Sequence, residues 1–180
     1  MDLTEKPIAQ QYIFKGKIIN LRVDDALLPN GKRAKREVVE HPGGVCVAAL
    51  TEKNELLFVE QFRYPYSEVV LELPAGKLEY GEDPFEAAKR ELAEECGVLA
   101  ARYTPLGVVY PTVGYDSEKI YIWAAEDLTT TGQHLDPDEF LDVIKVPFAK
   151  AVEMVMDGTI KDSKSIAGIL KYALLRKGRA

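Results

Sequence analysis

Residues 76–98 read Gly-Lys-Leu-Glu-Tyr-Gly-Glu-Asp-Pro-Phe-Glu-Ala-Ala-Lys-Arg-Glu-Leu-Ala-Glu-Glu-Cys-Gly-Val. A loop carrying Gly76, Gly81 and Glu82 leads into a helix that Pro84 opens and Gly97 closes. Proline suits the first helical position because its missing N–H is not needed there, and glycine suits the position after the last because it takes the left-handed cap without a Cβ clash. At roughly 100° per residue, Glu91, Glu94 and Glu95 share one face of that helix. Like charges at this spacing destabilise a bare helix by a few tenths of a kcal/mol per pair. Three held together imply a cation to bind. Hard divalent cations prefer carboxylate oxygens, and Mg2+ typically takes one or two of them plus the phosphates of a substrate. For a lone Glu-Glu pair the plainer reading would be a solvated acidic face.

Upstream of this stretch the chain reads as strands. Gln11–Phe14 is a short candidate, and Lys17–Leu28 and Arg33–Glu40 are longer ones joined by Pro29-Asn30-Gly31-Lys32. Asn-Gly between strand-like runs predicts a type I′ turn, with positive φ at both residues. His41-Pro42-Gly43-Gly44 then breaks the pattern. Val45–Thr51, Glu55–Phe62 and Val69–Leu73 are further strands. Downstream, Tyr103–Tyr110, Lys119–Ala125 and Phe140–Val146 are strands, residues 126–139 form a polar loop, and Pro147–Met156 is a short helix. A last helix starts near Asp162 or Ser163, both good caps. Its apolar residues Ile166, Ile169, Leu170, Ala173 and Leu174 form one buried stripe. Mixed strands with three helices imply a sheet covered by helices. The expected organisation is a small antiparallel β subdomain over residues 1–41 and a catalytic domain over residues 42–180.

The net charge of −6 argues against nonspecific nucleic-acid binding, which needs a basic surface. It also means that an enzyme of anionic substrates must neutralise its site locally, with cations and a few placed arginines. Two cysteines, Cys46 in an apolar run and Cys96 at the end of the acidic helix, suggest reduced packing residues rather than a disulfide framework. No run approaches the roughly 18 apolar residues of a membrane span, and the N-terminus shows no signal-peptide pattern. A cytoplasmic protein is the default expectation.

The full pattern of the opening stretch is Gly, five residues, Glu, seven residues, then Arg-Glu-Leu-x-Glu-Glu-x-Gly-Val. It resembles the Nudix hydrolase signature at every specified position. The resemblance implies an α/β fold, a Nudix-type α/β/α sandwich around a mixed sheet, and hydrolysis of a P–O–P bond with Mg2+ or Mn2+. It implies Glu91, Glu95 and the backbone carbonyl of Ala75 as metal ligands, with Glu94 and Arg90 in the catalytic set. Arg90 would orient a motif carboxylate, and Glu82 would be either its structural partner or an outer ligand.

The lead-in Glu60-Gln61-Phe62-Arg63-Tyr64-Pro65 and Glu72-Leu73-Pro74-Ala75-Gly76 looks like the ADP-ribose pyrophosphatase branch, and so does the hairpin containing Lys35-Arg36-Glu37. This likeness points to Arg63 and Arg36 on the diphosphate side of a nucleotide substrate, and to Glu72 and Gly114 as further substrate-binding positions. In Tyr110-Pro111-Thr112-Val113-Gly114-Tyr115, Val113 stands where the branch has a second proline. That loop shapes the terminal-ribose end of the pocket in the branch, so a broader nucleoside diphosphate sugar range is open. The acidic loop Leu135-Asp136-Pro137-Asp138-Glu139-Phe140 supplies the expected general base, Glu139 first and Asp138 second. The likeness also implies a domain-swapped homodimer in which Arg36 completes the neighbouring site. The alternatives are a nucleoside-triphosphate Nudix enzyme, which would lack the N-terminal hairpin, and a Nudix-fold ligand sensor, which would have lost motif acids.

Overall fold

The computed structural model describes residues 2–137 and 139–178. The chain divides into two compact units, Met1–Gly43 with Tyr110–Lys119, and Gly44–Val109 with Ile120–Ala180.

The first unit is an antiparallel sheet of β1 (Lys6–Lys15), β2 (Asn20–Leu27) and β3 (Arg33–Glu40), in that order. β1 is longer than the four residues expected, because pairing with β2 carries the ladder from Lys6 to Lys15. The β2–β3 connection is not a type I′ turn. Gly31 N–H donates to Leu28 O (2.9 Å), which places Pro29 and Asn30 at the turn centre. Of the expected pair only Gly31 has positive φ, +79°. Proline fixes φ near −65°, so the connection tightens around Pro29 and leaves the left-handed residue to glycine. Residues 110–119 dock beside β3: Val39 N–H donates to Tyr115 O (2.7 Å) and Ser117 N–H donates to Val39 O (2.9 Å).

The second unit holds two sheets. One is mixed, in the order β7 (Ala75–Lys77), β4 (Gly44–Ala49), β9 (Ile120–Thr130) and β8 (Val98–Val109), with β4 and β9 parallel. The other is antiparallel, β10 (Leu141–Pro147), β5 (Glu55–Arg63) and β6 (Glu68–Glu72). Three helices, α1 (Pro84–Cys96), α2 (Phe148–Met156) and α3 (Ser163–Lys177), complete it. Every residue of β4 is buried. A strand covered on both faces needs a continuous apolar run, and Gly-Val-Cys-Val-Ala-Ala is one. Val45, Val47 and Ala49 pack with Ala87, Ala88 and Leu92 of α1. The alternate residues Cys46 and Ala48 pack with Ile169 and Tyr172 of α3 and Ala151 of α2. The strand's twofold alternation thus builds a helix–sheet–helix sandwich. Cys46 and Cys96 are both free thiols. None of the described helices is long and apolar enough to cross a membrane.

Two stretches differ from expectation. β8 begins at Val98 rather than Tyr103, and β9 runs on to Thr130 rather than stopping at Ala125. They pair with each other as far as Val98 with Thr130. The polar residues there are satisfied across the ladder: Arg102 Nη1 donates to Glu126 (2.7 Å) and its Nε to Asp127 (3.0 Å).

Candidate active site

Helix α1 is set by local chemistry. Asp83 accepts hydrogen bonds from the N–H groups of Phe85 (2.9 Å) and Glu86 (3.2 Å), and Pro84 follows it. Gly97 closes the helix at φ +63° and donates to Ala93 O. A Cβ at Gly97 would lie 2.6 Å from the Gly132 backbone, so only glycine lets the following loop come this close. That loop is tied to the helix end, with Gln133 Nε2 donating to Glu95 O (2.7 Å) and His134 N–H to Glu94 O (3.0 Å).

The helix buries Ala87, Ala88 and Leu92 against the sheet, and with them two of its acids, Glu91 (8% exposed) and Glu95 (1%). Glu95 Oε2 accepts the Ala75 N–H at 2.8 Å. A Cβ on Gly76 would sit 1.9 Å from the Glu91 carboxyl carbon. The Ala75–Gly76 segment therefore lies against both carboxylates, and residue 76 has no room for a side chain. Burial pushes the Glu91 carboxyl up to about 7, against the opposing charge of Arg90. Burial pushes Glu95 up to about 8, against the Ala75 N–H. The charge of Glu94 adds to the Glu91 shift, that of Glu91 to the Glu95 shift, and that of half-buried Glu139 to both. Two buried acids side by side make a setting whose charge a bound cation would neutralise.

Among the described residues no three His, Cys, Asp or Glu side chains form a metal-ligating group. Glu91 and Glu95, against which the Ala75–Gly76 segment lies, are the carboxylates here that could hold a divalent ion. A small hard cation completed by water and phosphate oxygens is compatible with so few protein ligands.

Arg90 stands beside this pair. Its Nε and Nη2 reach the two oxygens of Glu82 (2.9 and 3.1 Å), and its Nη1 donates to Glu91 and Glu94 (2.8 Å each). Hydrogen bonding to Glu82 is the main cause that raises its already high pKa. Glu82 also accepts the Glu79 N–H (2.9 Å), so the structure places it as the bidentate partner of Arg90. Glu94 is the most exposed of the three helical acids.

On the other side, Arg63 at the end of β5 turns back along its strand to grip Glu72, with Nε at 2.5 Å and Nη2 at 2.8 Å. Glu72 is only 2% exposed. Burial opposes its ionisation, but Arg63 and Lys164 outweigh burial and hold its carboxyl below the ordinary value. Glu72, expected as a substrate contact, is held by two cations of its own chain. Glu139 N–H is bonded to Asp136 O (3.0 Å) in the loop beyond β9. Asp138, the second candidate base, lies outside the described residues.

Arg36 and Gly114 come together in the first unit. They line a cleft of about 310 Å³ with Glu5, Asp24, Glu37 and Asp116. Arg36 is already paired with Glu5, through Nε (2.8 Å) and Nη2 (2.6 Å). Gly114 is exposed, and a Cβ there would meet nothing within 4 Å. The buried Oδ1 of Asp24 has no hydrogen-bond partner among the described residues.

Sequence reasoning missed Lys164, Asp24 and Glu5. Lys164 had a signal. A cation in the first turn of a helix opposes the helix dipole, and such a residue needs a carboxylate partner.

The NUDIX domain family matches residues 40–167. The chain belongs to the Nudix family. The nucleoside diphosphate sugar hydrolase N-terminal domain family matches residues 5–39. The chain is 41% identical to the ADP-ribose pyrophosphatase of Bacillus subtilis (strain 168) over 177 residues, 97% of this chain and 95% of that one. It is 40% identical to the methanol dehydrogenase activator of Bacillus methanolicus over 167 residues, 92% of this chain and 90% of that one. The structure of an ADP compounds hydrolase superimposes with a TM-score of 0.87 over all of this chain and 98% of that chain, at 22% identity, which establishes the shared fold. Nudix hydrolases work with a divalent metal, which the buried acid pair of α1 suits.

Proposed function

We propose that this Nudix hydrolase cleaves the diphosphate of ADP-ribose, giving AMP and ribose 5-phosphate, or of a related nucleoside diphosphate sugar. The observation that carries the reading is the pair of buried carboxylates, Glu91 and Glu95, set against Ala75 and Gly76 with Arg63 nearby. Glu91, Glu95 and the Ala75 carbonyl hold Mg2+ or Mn2+. When bound, the cation polarises the phosphoryl oxygens, lowers the pKa of a bound water and screens the leaving group. Glu139 accepts the proton of the attacking water. Arg90 and Glu94 keep Glu91 oriented, a supporting task that commonly matters tenfold or more in a metal site. Arg63, held rigid by Glu72, meets the diphosphate. The water oxygen bonds to one phosphorus as the bond from that phosphorus to the bridging oxygen breaks, and the bridging oxygen leaves with the other phosphate.

Arg36 and Gly114 belong to a cleft that receives the diphosphate and the terminal-ribose end of the substrate. The chain works as a domain-swapped homodimer in the cytoplasm, where Arg36 serves the neighbouring site. All ten residues of β1 are exposed, with Ile8, Tyr12, Ile13 and Phe14 among them, and this surface supports a partner chain. The substrate is a small nucleotide, with no role for nucleic acid or membrane. A product screen over ADP-ribose, NADH, GDP-mannose, UDP-glucose, diadenosine polyphosphates and dGTP tests the reading. AMP and ribose 5-phosphate from ADP-ribose, lost in excess chelator, is the expected result, and release of phosphate from dGTP alone overturns it. The likeness to the activator favours a second reading, that the chain raises the rate of a dehydrogenase. Dehydrogenase assays with wild type and Glu95→Gln separate the two.

A further inference from the structure

Glu72 is bound from two sides. Arg63 takes it through Nε and Nη2, and Lys164, from the first turn of α3, donates to Oε2. Lys164 is itself nearly buried and pairs with Asp162 Oδ1 at 3.1 Å. The other oxygen of Asp162 caps α3, accepting the Ser165 N–H (3.0 Å) and its hydroxyl (2.5 Å). The fully buried Ser165 Oγ in turn accepts the Leu73 N–H at 2.8 Å. Leu73 lies two residues before Ala75. One turn of helix, 92 residues away in sequence, therefore grips both the carboxylate that holds Arg63 and the main chain that enters the candidate metal site.

We propose that Lys164 is a positioning residue for diphosphate cleavage, acting through Glu72 to fix the Arg63 guanidinium; this rests on the proposed reading of Arg63 as a substrate contact. The geometry requires a cation here. Without one, the buried Glu72 carboxylate loses the Lys164 donor on Oε2 and keeps Arg63 alone, so Glu72 must move or take up a proton. Either change loosens a two-point grip whose worth lies in its fixed fork geometry. Arg63 Nη1 makes no hydrogen bond among the described residues, so it is the donor free to meet a phosphate while Nε and Nη2 stay on Glu72.

Lys164→Met alone leaves a charge imbalance that can unfold the protein. Asp162→Asn with Lys164→Met removes both members of the pair and keeps a capping side chain at residue 162. Two measurements follow on this double variant, with thermal melting to confirm folding. The first is kcat/KM on ADP-ribose, alone and combined with Arg63→Ala. An effect of about tenfold in the Arg63 background, shrinking to less than about twofold once Arg63 is Ala, is the expected coupling. Lys164→Arg should stay within about threefold of wild type, since it retains the charge. The second is the NMR signal of the Arg63 Nε–H, assigned by its loss in Arg63→Ala. Its exchange with water should speed up about tenfold or more as the Glu72 grip opens. Equal losses with and without Arg63, or an unchanged Nε–H exchange in the folded variant, overturn the proposal. If wild type cleaves no diphosphate the functional reading fails, and the Nε–H exchange still decides whether Lys164 positions Arg63.

Discussion

If Glu91 and Glu95 hold the divalent cation as proposed, removing it leaves two buried acids together, and the consequence can be counted in protons. Burial holds the two carboxyls near 7 and 8, against an ordinary 4.5. A cation binds the ionised carboxylate, so each proton still held by the metal-free protein must leave on binding. At pH 6 about nine-tenths of Glu91 and nearly all of Glu95 are protonated, so about two protons leave per site. At pH 7 the release falls to about 1.4, and at pH 8 to about 0.6. Calorimetric titration of Mg2+ into metal-free protein, in two buffers of different ionisation enthalpy at each pH, reads this number directly. Glu91→Gln should remove about one proton of the release at pH 6.

Stability follows the same acids with an unusual sign. Both folded-state values lie above the unfolded one, so the folded chain binds more protons between about pH 4.5 and 8. The metal-free protein should therefore lose stability as pH rises through that window, by up to roughly 8 kcal/mol if both shifts are fully expressed, and saturating Mg2+ should abolish the slope. A proton release near zero at every pH from 6 to 8 would refute the reasoning, since the two acids would then be ordinary carboxylates with no cation to wait for.

Gly76→Ala should place its Cβ where the Glu91 carboxylate stands, so the affinity for Mg2+ should fall at least about tenfold while the fold survives, read by calorimetry and melting. Glu139→Gln should lower kcat by roughly 10²–10⁴ with little change in KM, measured by AMP release, whereas an unaltered kcat would remove Glu139 as the base. Arg36→Ala and Glu95→Gln, each inactive alone, should recover activity when mixed under subunit exchange if sites are shared between chains. Silence after proven exchange, or a monomer by light scattering, would exclude the shared site.

The legible parts of this chain are those whose chemistry is local. Pro84, Gly97 and the helical acids could be read at sight, because caps and face angles depend on neighbours within a few residues. Asn-Gly signals a type I′ turn, but Pro29 just before it fixes φ and moves the turn centre to Pro29-Asn30. The extensions of β8 and β9 were missed because Thr129, Thr130 and their acidic neighbours read as loop, while cross-strand bonds from Arg102 make such polar residues acceptable in a ladder. Nothing local could reveal that Lys164 meets Glu72, 92 residues earlier. Periodicity assigns faces, but contacts of that separation come only from the way the elements pack.

The arginines explain why so acidic a chain can handle an anionic substrate only together with a cation. Arg90 is spent on Glu82, Glu91 and Glu94, Arg63 on Glu72, and Arg36 on Glu5. Each carries its own carboxylate, so none offers a bare positive charge. Pairing of this kind fixes direction more than it supplies potential: a guanidinium locked by two bonds to a carboxylate presents its remaining N–H along one line. The attraction for a diphosphate would then come from an ion held by Glu91 and Glu95, the metal site proposed above, whose charge would turn an acidic pair into a net acceptor of anions. Substrate affinity and metal affinity are therefore linked, and each should strengthen the other by the same factor. Mg2+ binding measured with and without saturating AMP should show that reciprocity, and an AMP affinity indifferent to Mg2+ would mean that the arginines alone suffice.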